Sequence, residues 1–134
     1  MSAPQSVTVT VGVGQSATTG VYDPNQFYTC HGQAGEWRLV SAYFMPEITL
    51  AASGSAYFDL TIGQGVEGSS TDVSSALSTA STGHTLGVAR EFTLTDNTSR
   101  DFGPSDTIIV QLEETGGSNP ISGTVVLAFT KVRV

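Results

Sequence analysis

The side chains able to do chemistry are few, and their spacing argues against the reactions such groups serve elsewhere. The chain of 134 residues holds two histidines, His31 and His84, and a single cysteine, Cys30. A nucleophile needs a base within reach, and a zinc site needs grouped nitrogen, sulfur or carboxylate ligands. The histidines lie far apart in sequence, without an HxH or HExxH companion. Cys30 directly precedes His31, but strand neighbours point to opposite faces, which disfavours a thiolate–imidazole pair and makes Cys30 a buried structural residue by expectation. Asp96, Asp101 and Asp106 recur at five-residue spacing. That spacing lacks the alternating ligands of an EF-hand loop, although loop carboxylates and carbonyls hold calcium in other β proteins. Gly63, Gly65 and Gly68, in GQGVEG, have the look of a phosphate loop, yet no lysine follows and no suitable helix is expected. Turn chemistry accounts for these glycines. Glu47, Asp59 and Glu91 are isolated acids expected to face solvent, and nothing pairs them as the acid and base of a glycosidase. Trp37, Tyr43 and Tyr57 would stack on sugars if they pointed outward, while their size favours core packing. The sequence thus assigns no catalytic residue, no metal ligand and no cofactor.

Charge narrows the partners. Five basic and twelve acidic residues give a net charge of −7, a field that repels nucleic-acid phosphates and anionic membranes and attracts a basic patch on a partner protein. Acidity of this size also keeps a domain soluble. With 39% hydrophobic and only 13% charged residues, and abundant Gly, Ser and Thr, strands and tight turns are favoured over exposed amphipathic helices. The length suits one domain over residues 1–134, with residues 1–6 as an N-terminal arm. No apolar stretch approaches the roughly 20 residues of a membrane-spanning helix. The lone cysteine and the opening MSAPQSVTVTV, which lacks a charged segment and an apolar run, set the expectation of assembly in a cytoplasm. On that expectation the glycosylation pattern at Asn97-Thr98-Ser99 goes unused.

The elements that must position these residues follow from period-2 patterning. Val7, Val9, Val11 and Val13 alternate with small or polar residues as one strand. Tyr22-Asp23-Pro24-Asn25 reads as a turn before a short strand through Phe27 to Cys30. Glu36 to Phe44 places Trp37, Leu39, Ser41 and Tyr43 on one face and Arg38, Val40, Ala42 and Phe44 on the other. Pro46 ends that strand or lies at an edge. Ile48 to Ala52, Ala56 to Ile62, Val88 to Thr95, Thr107 to Glu113 and Ser122 to Val134 complete the strands, with Leu60 and Leu127 expected in the core. The strong last segment is expected to be tied into a sheet. Between Gly63 and Gly87 the pattern collapses into Ser, Thr and Gly. There Val73, Ala76, Leu77 and Ala80 have a rough helical spacing that Asp72 would cap, and the stretch reads as a functional loop or a surface crossover. About eight strands without a long helix give an all-β, antiparallel two-sheet sandwich, with jelly-roll connectivity the favoured variant.

The segments SVTVTVGVG, EWRLVSAYFMPEITLAASGSAYFDLTIG and GTVVLAFTKVRV, about half the chain, together with the acidity and the missing active site, resemble the decoration, or cement, proteins of tailed-bacteriophage capsids. The resemblance implies a protein without enzymatic activity, placed on the capsid exterior of a virion assembled in the host cytoplasm. It would self-associate as a dimer or trimer and clamp neighbouring copies of a major capsid protein. Many modest contacts repeated by symmetry suit such a role. The expected contact surfaces are the N-terminal arm, with Ser2 and Pro4, the loop from Gly63 to Gly87, with Asp72 and Leu77, and the linker from Asp96 to Asp106, with Arg100 and Phe102. Phe102 reads equally as an exposed anchor or as a loop residue folded over the core. Two other readings stand beside this one: a carbohydrate-binding jelly roll of a phage fibre or tail, and a subunit of another self-assembling shell or appendage.

Overall fold

The computed structural model describes residues 6–13, 20–26, 35–66, 69–95, 100–103, 106–116 and 121–133. Among them are ten strands and no helix: β1 (Ser6–Val13), β2 (Gly20–Gln26), β3 (Glu36–Pro46), β4 (Tyr57–Val66), β5 (Ser69–Asp72), β6 (Leu77–Ser78), β7 (Arg90–Glu91), β8 (Asp101–Phe102), β9 (Thr107–Thr115) and β10 (Gly123–Arg133). Sheet I has the order β1-β10-β3-β7, with β8 also on β3; sheet II has the order β2-β9-β4-β5, with β6 also on β4. Every ladder is antiparallel. The pairing is nested: β1 with β10, β2 with β9, β3 with β7 and β8, β4 with β5 and β6. The chain therefore runs out along four strands and returns beside itself, with successive pairs assigned to alternate sheets, which is jelly-roll connectivity. Ten strands occupy eight positions because the two innermost return positions are each split in two.

Alternation builds the core between the sheets. In β10, Gly123, Val125, Leu127 and Phe129 are buried, and the residues between them are only half-buried. In β4, Phe58, Leu60 and Ile62 point inward. Phe44, Phe58, Phe102 and Phe129 are fully buried, and Phe102 meets Phe129 edge to face at 5.6 Å between ring centroids. Each such side chain contributes roughly 1.5–3 kcal/mol by leaving water. The closing strand is tied into a sheet, as expected, and lies between β1 and β3 in sheet I.

Several local expectations are corrected. The faces of β3 change phase within the strand: Trp37 and Leu39 are buried, then Ala42, Phe44 and Pro46. Against β10 the register passes from Ala128↔Ser41 to Phe129↔Leu39, so Val40 is an extra residue. Such a bulge flips every later side chain to the other face, and it leaves Val40 48% exposed. Tyr22 to Asn25 is not a turn but an irregular stretch within β2. As the edge of sheet II, β2 tolerates the donor that Pro24 lacks. The strand expected at Phe27 to Cys30 lies outside the described residues. In place of a helix after Asp72, the stretch from Gly63 to Gly87 holds the end of β4, β5 and β6. The strand expected at Ile48 to Ala52 is a single bridge from Leu50 to His84, and that expected at Val88 to Thr95 keeps only Arg90–Glu91.

Candidate functional site

The split in sheet I creates the cleft of interest. On the edge of β3 away from β10, β7 covers Tyr43 and Phe44 and β8 covers Trp37 and Arg38. Among the described residues, no strand lies beside Leu39 to Ala42, the residues between, on that edge; the Ala42 carbonyl accepts one bond, from the Phe92 N–H at 2.9 Å. The cause lies in the next three residues. After Phe92 the chain turns away and bonds to the β5–β6 connection instead, with Ser75 N–H donating to the Thr93 carbonyl at 2.8 Å and Thr95 N–H to the Val73 carbonyl at 2.9 Å. Ser74 and Leu94 form the bridge between those two bonds. This crossing joins the two sheets and opens a gap in sheet I.

The gap is a cleft of about 420 Å³ lined by Val40, Glu91, Phe92, Thr93, Leu94 and Arg100. Phe92 is buried, Leu94 packs against the core, and the bulge turns Val40 outward. Glu91 is exposed. The Arg100 Nε is buried yet has no hydrogen-bond partner. Buried polar groups are almost always paired in folded proteins, so this nitrogen marks the cleft chemically. One guanidinium, one carboxylate and three apolar side chains suit recognition of a polar group next to an apolar one; they do not form a nucleophile–base pair.

The neighbouring groups are spent on structure. Arg38 Nε and Nη2 donate to the two Asp101 carboxylate oxygens at 2.6 and 2.9 Å. That contact raises the Arg38 pKa further above its ordinary value, first through the hydrogen bond and then through the opposite charge. Gln64 Nε2 donates to the Asp101 carbonyl and ties sheet II to β8. Asp106 accepts from Gly103 N–H at 2.7 Å and returns a bond from its own N–H at 3.1 Å, closing a tight turn. Asp101 and Asp106 thus hold the chain on either side of Phe102 and Gly103, while Asp96 lies outside the described residues.

Of the contact residues read from sequence, Arg100 is the one in the cleft. Asp72 ends β5 in an exposed position. Leu77 is corrected to a core residue, at 6% exposure, and Phe102 takes the core one of its two readings, at 0%, because β6 and β8 each turn their apolar member inward against β4 and β3. Ser2, Pro4, Cys30 and His31 lie outside the described residues. Trp37 is buried at 2%, with Lys131 Nζ 5.7 Å from its ring centre; Tyr43 and Tyr57 are half-buried. Gly65 serves close strand approach and not phosphate binding: its φ is +127°, and a Cβ there would lie 2.8 Å from the Ser69 carbonyl. His84 is buried against Phe44, ring centroids 4.8 Å apart, with neither ring nitrogen partnered. Burial, and secondarily the Arg90 charge, lower its pKa from 6.5 to about 4. Sequence reading missed Val40, Phe92 and Leu94, because a bulge and a chain crossing leave no period of their own; the one available signal was Arg100 between two acidic turns.

Compared with known proteins, the chain matches no protein-family model and no curated protein sequence, so the cleft is interpreted on its own geometry.

Proposed function

We propose that this chain is a non-catalytic protein-binding domain, and that its role is that of a decoration protein on the outside of an icosahedral phage shell, clamping neighbouring major capsid proteins. The observation that carries the binding reading is the edge of β3 left open among the described residues: an outward-turned Val40 beside Arg100, whose buried Nε has no hydrogen-bond partner. An interrupted sheet edge with unused backbone groups is a template for another chain. Burial of Trp37 removes the largest of the three aromatics that a sugar-binding role would have used. The net charge of −7 supports a protein partner over nucleic acid. The capsid assignment rests on the resemblance of the strand segments and on the jelly-roll connectivity.

The test is co-sedimentation of the purified chain with intact capsids, beside a glycan array. Saturable association with shells and no specific glycan binding is the expected result. A chain that stays in the supernatant with every shell tried, or that binds one glycan class specifically, contradicts it.

A further inference from the structure

We infer that the cleft between β7 and β8 receives a short extended segment of a partner protein carrying one carboxylate, with Arg100 taking the carboxylate and Val40, Phe92 and Leu94 taking an apolar side chain beside it. This inference rests on the reading of the chain as a protein-binding domain and names the chemistry of its partner.

Arg100 sets the charge. Its Nε is out of contact with water and forms no bond within the protein, and leaving a buried donor unmade is costly. A guanidinium is a planar fork that matches a carboxylate with two parallel bonds. The same molecule displays that match one residue away, where Arg38 grips Asp101 through Nε and Nη2. Glu91 in the same lining, and the surplus of acidic residues over the chain, favour a singly charged ligand over a phosphate or sulfate.

The shape of the gap points to a peptide. Leu39 to Ala42 separate the residues held by β8 from those held by β7, a run of roughly 13 Å at about 3.3 Å per residue. Three or so extended residues fit that span, and their backbone would meet an edge that no described strand covers. Alternate side chains of such a segment would fall toward the cleft and away from it, which places one carboxylate near Arg100 and an apolar neighbour over Val40 and Leu94.

The probe is a blocked pentapeptide, acetyl-Thr-Val-Glu-Val-Thr-amide, titrated into the full chain while the Arg100 Nε–H and Val40 methyl resonances are followed by NMR. Both resonances are expected to shift and saturate together. The peptide with Gln in place of Glu, and sodium acetate alone, are each expected to bind at least roughly tenfold more weakly, the loss expected when a charge-assisted pair or the flanking contacts are removed. R100Q should abolish the preference for Glu over Gln without changing the melting temperature, and V40K should block the peptide by filling the gap. Equal affinity for the Glu and Gln peptides, acetate binding as tightly as the peptide, shifts confined to other residues, or an R100Q chain that keeps the preference would each overturn the inference. Capsid binding that survives in R100Q while the peptide fails sinks this inference and spares the decoration reading. Peptide binding by a chain that ignores every capsid does the reverse.

Discussion

Sheets I and II are broken at corresponding places, and among the described residues only one of the breaks is sealed. In sheet II the partner of β4 is interrupted between β5 and β6, and side-chain hydroxyls stand in for the missing strand. Ile62 N–H donates to Ser74 Oγ at 3.0 Å while Val73 N–H donates to the Ile62 carbonyl at 2.8 Å. Past the far end of β6, outside the break, the same device recurs: Phe58 N–H donates to Thr79 Oγ1 and Thr79 N–H to the Phe58 carbonyl, both at 2.9 Å. Ser74 and Thr79 are buried by this arrangement, at 3% and 1% exposure. In sheet I the partner of β3 is interrupted between β7 and β8, and Thr93 to Thr95, part of the connection between those strands, are bonded to the sealed break of sheet II. One interruption is repaired at the expense of the other. The repaired one is architecture, and the open one, with Val40 and Arg100 at its margin, is surface available to a partner.

The largest expected effects test whether β6 and β8 are core elements despite their two-residue length. Phe102→Ala should cost about 3–5 kcal/mol in urea denaturation, as for other buried aromatics, and Leu77→Ala about 2–5 kcal/mol. A cost near zero for Phe102→Ala would return that residue to an exposed loop and leave β8 without an anchor.

His84 is a third place where polar atoms meet the interior, and here nothing seals them. Its folded pKa of about 4 lies below the ordinary 6.5, so the unfolded chain takes up a proton first as pH falls. Stability is therefore full above pH 6.5 and declines toward pH 4, by on the order of 3 kcal/mol. His84→Leu should flatten this part of the profile of denaturation midpoint against pH. An unchanged profile would mean that the imidazole reaches water.

The sealed break has its own variant. Ser74→Ala removes the acceptor for the Ile62 N–H at the break, with an expected cost of about 1–3 kcal/mol. The smallest effect is expected at the open break: Arg100→Gln, at a side chain whose Nε has no partner, should change stability by less than about 0.5 kcal/mol. Reversal of that order, with Arg100→Gln the more damaging, would exchange the roles of the two breaks.

The strongly alternating segments were legible in the sequence. The valine run of β1, the β4 series Phe58, Leu60 and Ile62, and the closing strand with Leu127 each carry a period of 2 over several residues, and they form the strands that patterning assigned. The breaks were not legible. Ser74 and Thr79 act as backbone acceptors, so a strand position filled by hydroxyls reads in sequence as a polar loop, and Val73, Leu77 and Ala80 mimic a helix. The phase change in β3 is hidden because Val40 and Ala42 are both apolar, and only the partner strand reveals which one is extra. Arg100 was singled out for its place among turn residues, whereas its chemical distinction, an Nε buried without a partner, exists only in the folded chain.

Amide hydrogen exchange tests the contrast between the two breaks most directly. The Phe58 and Ile62 amides, bonded to hydroxyls in sheet II, should exchange only when the whole domain unfolds. The Ala42 amide, which points the same way along β3 as the carbonyl that receives Phe92, should exchange by local opening, at least about a hundredfold faster. Equal protection at all three positions would contradict an open edge in sheet I, and with it the surface on which partner binding is proposed.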